Sequence, residues 1–215
     1  MLHLILYLGY LLSITGMKIF LIVFIIIVII LLLLQFMTVM STQKTERQKY
    51  MVVHTAPEFE IRFYPQAVFA TIYSSAKTYR ELASPGFRRL AAYIFGGNDS
   101  RTKISMTAPV QMNINDTLSE MSFVMPAEYE TEKLPKPNDS KVTIHKTQDE
   151  YVAAIRFGGF ASDEQILIHS EKLKNLLSST GIAWSGSFRY LGYNPPWQVF
   201  GRRNEIIVSV KWGDN

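Results

Sequence analysis

Shifted by 83 residues, the second half of this chain lies on the first. The shift sets Ile144 on Ile61, Ala153 on Ala70, Ile155 on Ile72 and Leu173 on Leu90. It also places Ile206-Ile207-Val208 on Phe123-Val124-Met125. Identity is low, but one offset that aligns both hairpins, a helix and a last strand points to one unit used twice. Each copy reads strand, strand, helix, strand, strand. In the first, residues 59–64 (FEIRFY) alternate apolar and polar, as a half-buried strand does. Residues 67–74, 103–113 and 120–125 supply the other strands, with Pro109 marking an end or a sheet edge. In the second copy the strands fall at 141–146, 151–157, 188–191 and 205–212.

The two helices carry their own signals. Phe87, Leu90, Ala91 and Ile94 recur at helical spacing, with Ser84 as N-cap, Pro85 at the first helical position and Gly96-Gly97 as the stop. Ser162 with Gln165 forms a capping box for the second helix. Ile166, His169, Leu173, Leu176 and Leu177 are its inner stripe, and Gly181 closes it. Two such halves bury their apolar faces best by joining sheets. The predicted fold is α+β: a distorted antiparallel eight-stranded β-barrel of two pseudo-symmetric ββαββ repeats, about 50–126 and 140–212, with two flanking helices.

One transmembrane helix is expected ahead of this domain. Residues 1–40 hold a single charged side chain, Lys18, and 19–34 is an unbroken apolar run. Extended to residue 40, the run reaches the ~20 residues that cross a bilayer. It exceeds the ~7–15 residues of a signal-peptide core and has no small-residue cleavage pattern, which favours an uncleaved single-pass anchor. Residues 1–16 form a weaker apolar stretch, read either as a hairpin partner or as a leader before a start at Met17. Cues to orientation conflict: Lys44, Arg47 and Lys49 after the span argue for a cytoplasmic domain, a signal-anchor start for export. Residues 41–49 are polar and read as a linker to a domain at 50–215.

From residue 41 onward the charge is mildly positive and no basic stripe with interleaved aromatics occurs, so no nucleic acid is expected. The chain has no cysteine, which excludes disulfides. His3, His54, His145 and His169 lack partners at metal-ligand spacing. Nucleophile elbow, phosphate loop and dinucleotide fingerprint are all absent, so the chain does not read as an enzyme. Aromatic residues and Met106, Met112, Met121 and Met125 remain, mostly as core, with some available to line a cavity. Arg88 and Arg89, beside the apolar face of the first helix, would sit at its rim.

Several segments together resemble the SOUL haem-binding protein family. They are residues 59–64, Phe87 through Ile94 with Gly96-Gly97-Asn98, and residues 103–110 (KISMTAPV). Phe123-Val124-Met125-Pro126, Arg156-Phe157-Gly158-Gly159-Phe160, Tyr193-Asn194-Pro195-Pro196 and Gly201-Arg202-Arg203-Asn204-Glu205 complete the set. The resemblance implies binding of haem or a related tetrapyrrole in an apolar groove between the first helix and the loop before the last strand. Mapped here, the groove takes Phe87, Arg88, Arg89, Leu90, Ala91, Ile94, Met106, Tyr193, Pro195 and Trp197. A lysine that some relatives carry is Ala92 in this chain, leaving the arginines to meet the propionates. No histidine corresponds to a proposed axial ligand, so burial rather than iron coordination would drive binding. The partners expected are therefore haem or a similar amphipathic small molecule, and membrane lipid through the N-terminal helix. The alternative is an anchored small-molecule sensor or interaction module that uses the same cleft.

Overall fold

The structure, a computed structural model, describes residues 2–213, with side chains from residue 16. The chain falls into two units, residues 1–43 and 44–215. The first is the helix α1, Leu2–Lys44. Within it Gly16–Lys44 is long and apolar enough to cross a membrane, and none of its most apolar stretch is buried. At 1.5 Å per residue its 29 residues span about 43 Å, more than the ~30 Å hydrocarbon core. The backbone is helical from Leu2 onward without a turn, so residues 2–16 form no hairpin with the run that follows.

The second unit is an antiparallel sheet with two helices on one face. Its strands are β1 (Met51–Thr55), β2 (Glu60–Tyr64), β3 (Val68–Ser74), β4 (Val110–Asn113), β5 (Ser119–Val124), β6 (Val142–Lys146), β7 (Glu150–Phe157), β8 (Trp184–Gly192) and β9 (Asn204–Val210). The helices are α2 (Tyr79–Ile94) and α3 (Asp163–Thr180). The order is β1-β2-β7-β9-β8-β4-β5-β3-β6. Exchanging the strands of one repeat for their counterparts reverses the order from β2 to β6, so a pseudo-two-fold axis passes between β4 and β8. The first hairpin of each repeat is not paired with itself: β2 lies on β7, and β3 on β6.

Two expectations are corrected. The sheet has nine strands rather than eight, because β1 adds to the β2 edge. It is also open, since β1 and β6 are hydrogen-bonded on one side only, so the architecture is a nine-stranded sheet that is not closed into a barrel. The strand expected over 103–113 shrinks to β4. Ala108 gives its backbone groups to Glu46 and Gln48, and the Thr107 hydroxyl donates to the Val124 carbonyl, so this stretch has partners outside the ladder.

α2 begins earlier than expected. Thr78, not Ser84, is the N-cap and accepts from the Glu81 amide, leaving Pro85 inside the helix. The first turn survives the missing N–H because Leu82 is buried and the turn is held from outside: the Asp163 carboxylate accepts the Tyr79 and Arg80 amides. Gly97 follows the helix so closely that a Cβ would lie 2.5 Å from the Ala92 carbonyl oxygen. α3 matches expectation, with Ser162 accepting from Gln165 and Gly181 left-handed at its end.

The main core fills the space between helices and sheet, with Leu82, Leu90, Tyr93 and Ile94 from α2 and Leu173 and Leu177 from α3. A smaller core lies on the opposite sheet face, around Tyr64, Val152, Leu191, Tyr193 and Ile207.

Candidate functional site

Residues spaced four apart share a helix face, and on α2 Tyr79, Ala83 and Phe87 form such a line. Tyr79 is half-buried and meets Tyr190 of β8 edge-on, with ring centroids 5.3 Å apart. Tyr190 donates to Asn204 Oδ1 at 2.8 Å. Burial pushes both phenols up, so they stay neutral and donate hydrogen bonds in the ordinary pH range. Phe87 is exposed along one side and packs against Phe123 at 5.2 Å.

Opposite the start of α2, Arg202 organises the β8–β9 loop. Its guanidinium donates to the carbonyls of Pro195 (2.8 Å), Gln198 (2.7 Å) and Gly159 (3.2 Å). It also lies 4.4 Å from the Phe160 ring centroid, a cation–π distance. One side chain thus pins the loop to the turn after β7. The loop then presents Trp197 (66% exposed), Val199 and Phe200 outward beside exposed Phe160. Arg80 and Arg88, one position on from Tyr79 and Phe87, are both exposed.

The ten residues expected to bind a ligand are distributed over this architecture unevenly. Phe87, Arg88, Arg89 and Trp197 are exposed; Ala91, Met106 and Pro195 are half-buried. Arg89 is held at 2.6 Å by Asp139. Leu90 and Ile94 point into the main core and serve as framework. Tyr193 lies on the other side of the sheet, in the second core, so the sheet separates it from α2. Sequence reasoning did not single out Tyr79, and it used Phe160 and Arg202 only as marks of the resemblance, not as residues of the site. The first was findable, since it sits eight residues before Phe87.

The second core surrounds a charged cluster. Glu205, fully buried, accepts from Arg62 at 2.8 and 3.2 Å, from Arg203 at 2.7 and 3.0 Å, and from the Tyr193 hydroxyl at 2.8 Å. Tyr50 stacks on Arg62 at 4.4 Å and accepts from Arg203 at 3.1 Å. Burial alone would raise the Glu205 carboxyl. The Arg62 hydrogen bond and charge, then Arg203 and Tyr193, outweigh it and hold the group below the ordinary carboxylate range. Glu205 and Arg62 are the fully buried charged side chains among the described residues. Saturated by donors, this carboxylate has no capacity left for acid–base chemistry.

The α2 flank offers aromatic rings for a flat apolar ligand and guanidinium groups for its acidic substituents. Among the described residues the histidines lie elsewhere: His54 beside Trp212, His145 beside Phe69, and His169 stacked on Phe157 at 4.0 Å with Nδ1 at the Gln165 carbonyl. The residues present therefore fit the contacts of a tetrapyrrole's rim and face.

An open antiparallel sheet of two exchanged ββαββ repeats, with a helix on each, defines the class. Solved structures share it: the EcmrR C-terminal domain (TM-score 0.53, 10% identity, covering 75% of this chain and 98% of that one) and a hydrolase from Listeria innocua (0.52, 10%, 74% and 94%). At that identity the likeness concerns fold alone. Sequence is more specific. Residues 45–209 match the family described as SOUL heme-binding protein, and the chain belongs to it. Heme-binding protein 1 of Xenopus laevis is 31% identical over 155 residues, which cover 69% of this chain and 81% of the relative. Heme-binding protein 2 of Homo sapiens is 28% identical over 161 residues, covering 71% and 78%. These relatives are named as binding proteins rather than enzymes.

Proposed function

We propose that this chain is a membrane-anchored, non-catalytic carrier of haem or a related tetrapyrrole, which it buffers or hands on at the bilayer surface. Family membership across 45–209 carries the ligand class. The α2 flank supports the place: a tetrapyrrole face lies along Tyr79, Ala83 and Phe87, its edge reaches Trp197 and Pro195, and its carboxylates meet Arg80, Arg88 or Arg89. Haem, when bound, would be held here by the rings of Tyr79 and Phe87 and by the guanidinium groups of Arg80, Arg88 and Arg89. Burying several hundred Å² of porphyrin at ~25 cal/mol/Å² gives a gross gain of several kcal/mol, before ordering costs. The saturated Glu205 supports a binding role over a catalytic one. Gly16–Lys44 supports the anchor by length and composition.

The test is a hemin titration of the full chain in lipid nanodiscs, followed at the Soret band. A saturable shift is expected, and Arg80→Ala with Arg88→Ala should weaken it roughly tenfold, about 1.4 kcal/mol. A shift that ignores both arginines removes the ligand from this flank. No shift at all sinks the reading.

A further inference from the structure

Beside the end of β5 lies a cleft of about 440 Å³ that the haem reading does not use. Val68, Val124 and Met125, all buried, give it an apolar floor. One wall is the segment 46–49, which leaves α1. Main-chain bonds between Glu46 and Ala108 and between Gln48 and Ala108, both 2.8 Å, hold it in place. Arg47, Lys49 and Lys146 line the cleft, as do Glu46, Glu130 and Glu132. Two of these carboxylates are engaged: Glu46 accepts the Ala127 amide at 2.8 Å, and Glu130 pairs with Lys133 at 2.8 Å. Among the described residues the three cations have no ion pair, and Glu132 is the carboxylate still unengaged.

Unpaired cations above an apolar floor suit a phosphate carried on an apolar body, and Glu132 leaves a place for an ammonium group. We propose that this cleft binds the headgroup of a membrane glycerophospholipid with an ethanolamine head. The phosphate meets Arg47, Lys49 and Lys146, the ammonium meets Glu132, and the glycerol with the first acyl carbons covers Val68, Val124 and Met125. The choice of a lipid over a soluble phosphate rests on reading α1 as a membrane span. In sequence, Glu46 stands two positions after Lys44, the last helical residue.

The full chain is released from nanodiscs containing phosphatidylethanolamine and weighed with its retained lipid by native mass spectrometry. One phosphatidylethanolamine per chain is expected, falling at least fivefold in Lys49→Gln with Lys146→Gln and in the space-filling Ala127→Trp. The hemin titration of these variants should be unchanged, which separates this cleft from the α2 flank. Retention that ignores all three substitutions overturns the proposal. Calorimetric titration of detergent-held chain with dihexanoyl phosphatidylethanolamine and with inorganic phosphate scores the cleft even if α1 proves not to insert. Tighter binding of the lipid supports the site, and equal binding of phosphate reduces it to a surface anion contact.

Discussion

Arg62 shows how a single position in a strand can mislead. In the alternation of residues 59–64 it takes a polar place, which in a half-buried strand faces water. Here it is only 4% exposed, because the sheet face away from the helices is also covered and Glu205 waits there. Removing one partner of such a pair leaves a buried charge alone, at a cost of about 3–5 kcal/mol. Glu205→Ala should lose that much in denaturant unfolding. The pH dependence has a definite sign. The folded carboxyl titrates below its unfolded value of 4.5, so its contribution is complete above pH 4.5 and fades as pH falls through the lower, folded value. Glu205→Gln should flatten that acid limb, and an unchanged limb would assign it to other carboxylates.

Among the elements, α2 and α3 are tied through one carboxylate. Asp163, in the first turn of α3, accepts amides from the first turn of α2, where a negative charge also suits the helix dipole. Asp163→Ala should destabilise the domain by about 1 kcal/mol, as loss of an N-cap does. Hydrogen exchange should rise at the start of α2 more than within α3; equal protection would mean that Thr78 suffices. Local signals explain what was legible. α3 carries its stop and start within its own residues, Ser162 and Gly181, so its bounds could be read. α2 also has a local start, Thr78 with Glu81 three residues on, but Pro85 inside the helix looks like a beginning and displaces the reading. β1 escaped notice because all five of its residues are exposed, leaving no alternation to read. On the candidate flank, Phe87 and Arg88 were readable from helical spacing. Tyr193 was not placeable, since which face of the sheet it takes depends on the register of β8 with β9.

For the whole molecule, the repeat was the most informative signal, and it predicted the strand inventory better than the closure. The 83-residue shift carries β3 onto β7 and α2 onto α3, but carries β4 into the loop after β8, where the halves have diverged. Because β2 and β3 find partners in the other repeat, neither half should be a folding unit. Residues 45–138 and 139–213 expressed separately should each lack a cooperative thermal transition, and mixing them should restore one. Cooperative unfolding of either piece alone would show that exchanged pairing is not what holds the sheet together.

That exchange of hairpins also has a consequence in time. While the chain is being made, β2 emerges with only β1 to pair with, and β3 can reach β5, but the inner edge of β2 stays open until β7 has left the ribosome. At ~5–20 residues per second, that is roughly five to twenty seconds of exposed strand edge. A nascent half meeting another nascent half could complete the same pairings between two chains. Joining both halves in one chain, which lets each repeat serve as partner to the other, therefore competes with strand trading between neighbouring copies on a polysome.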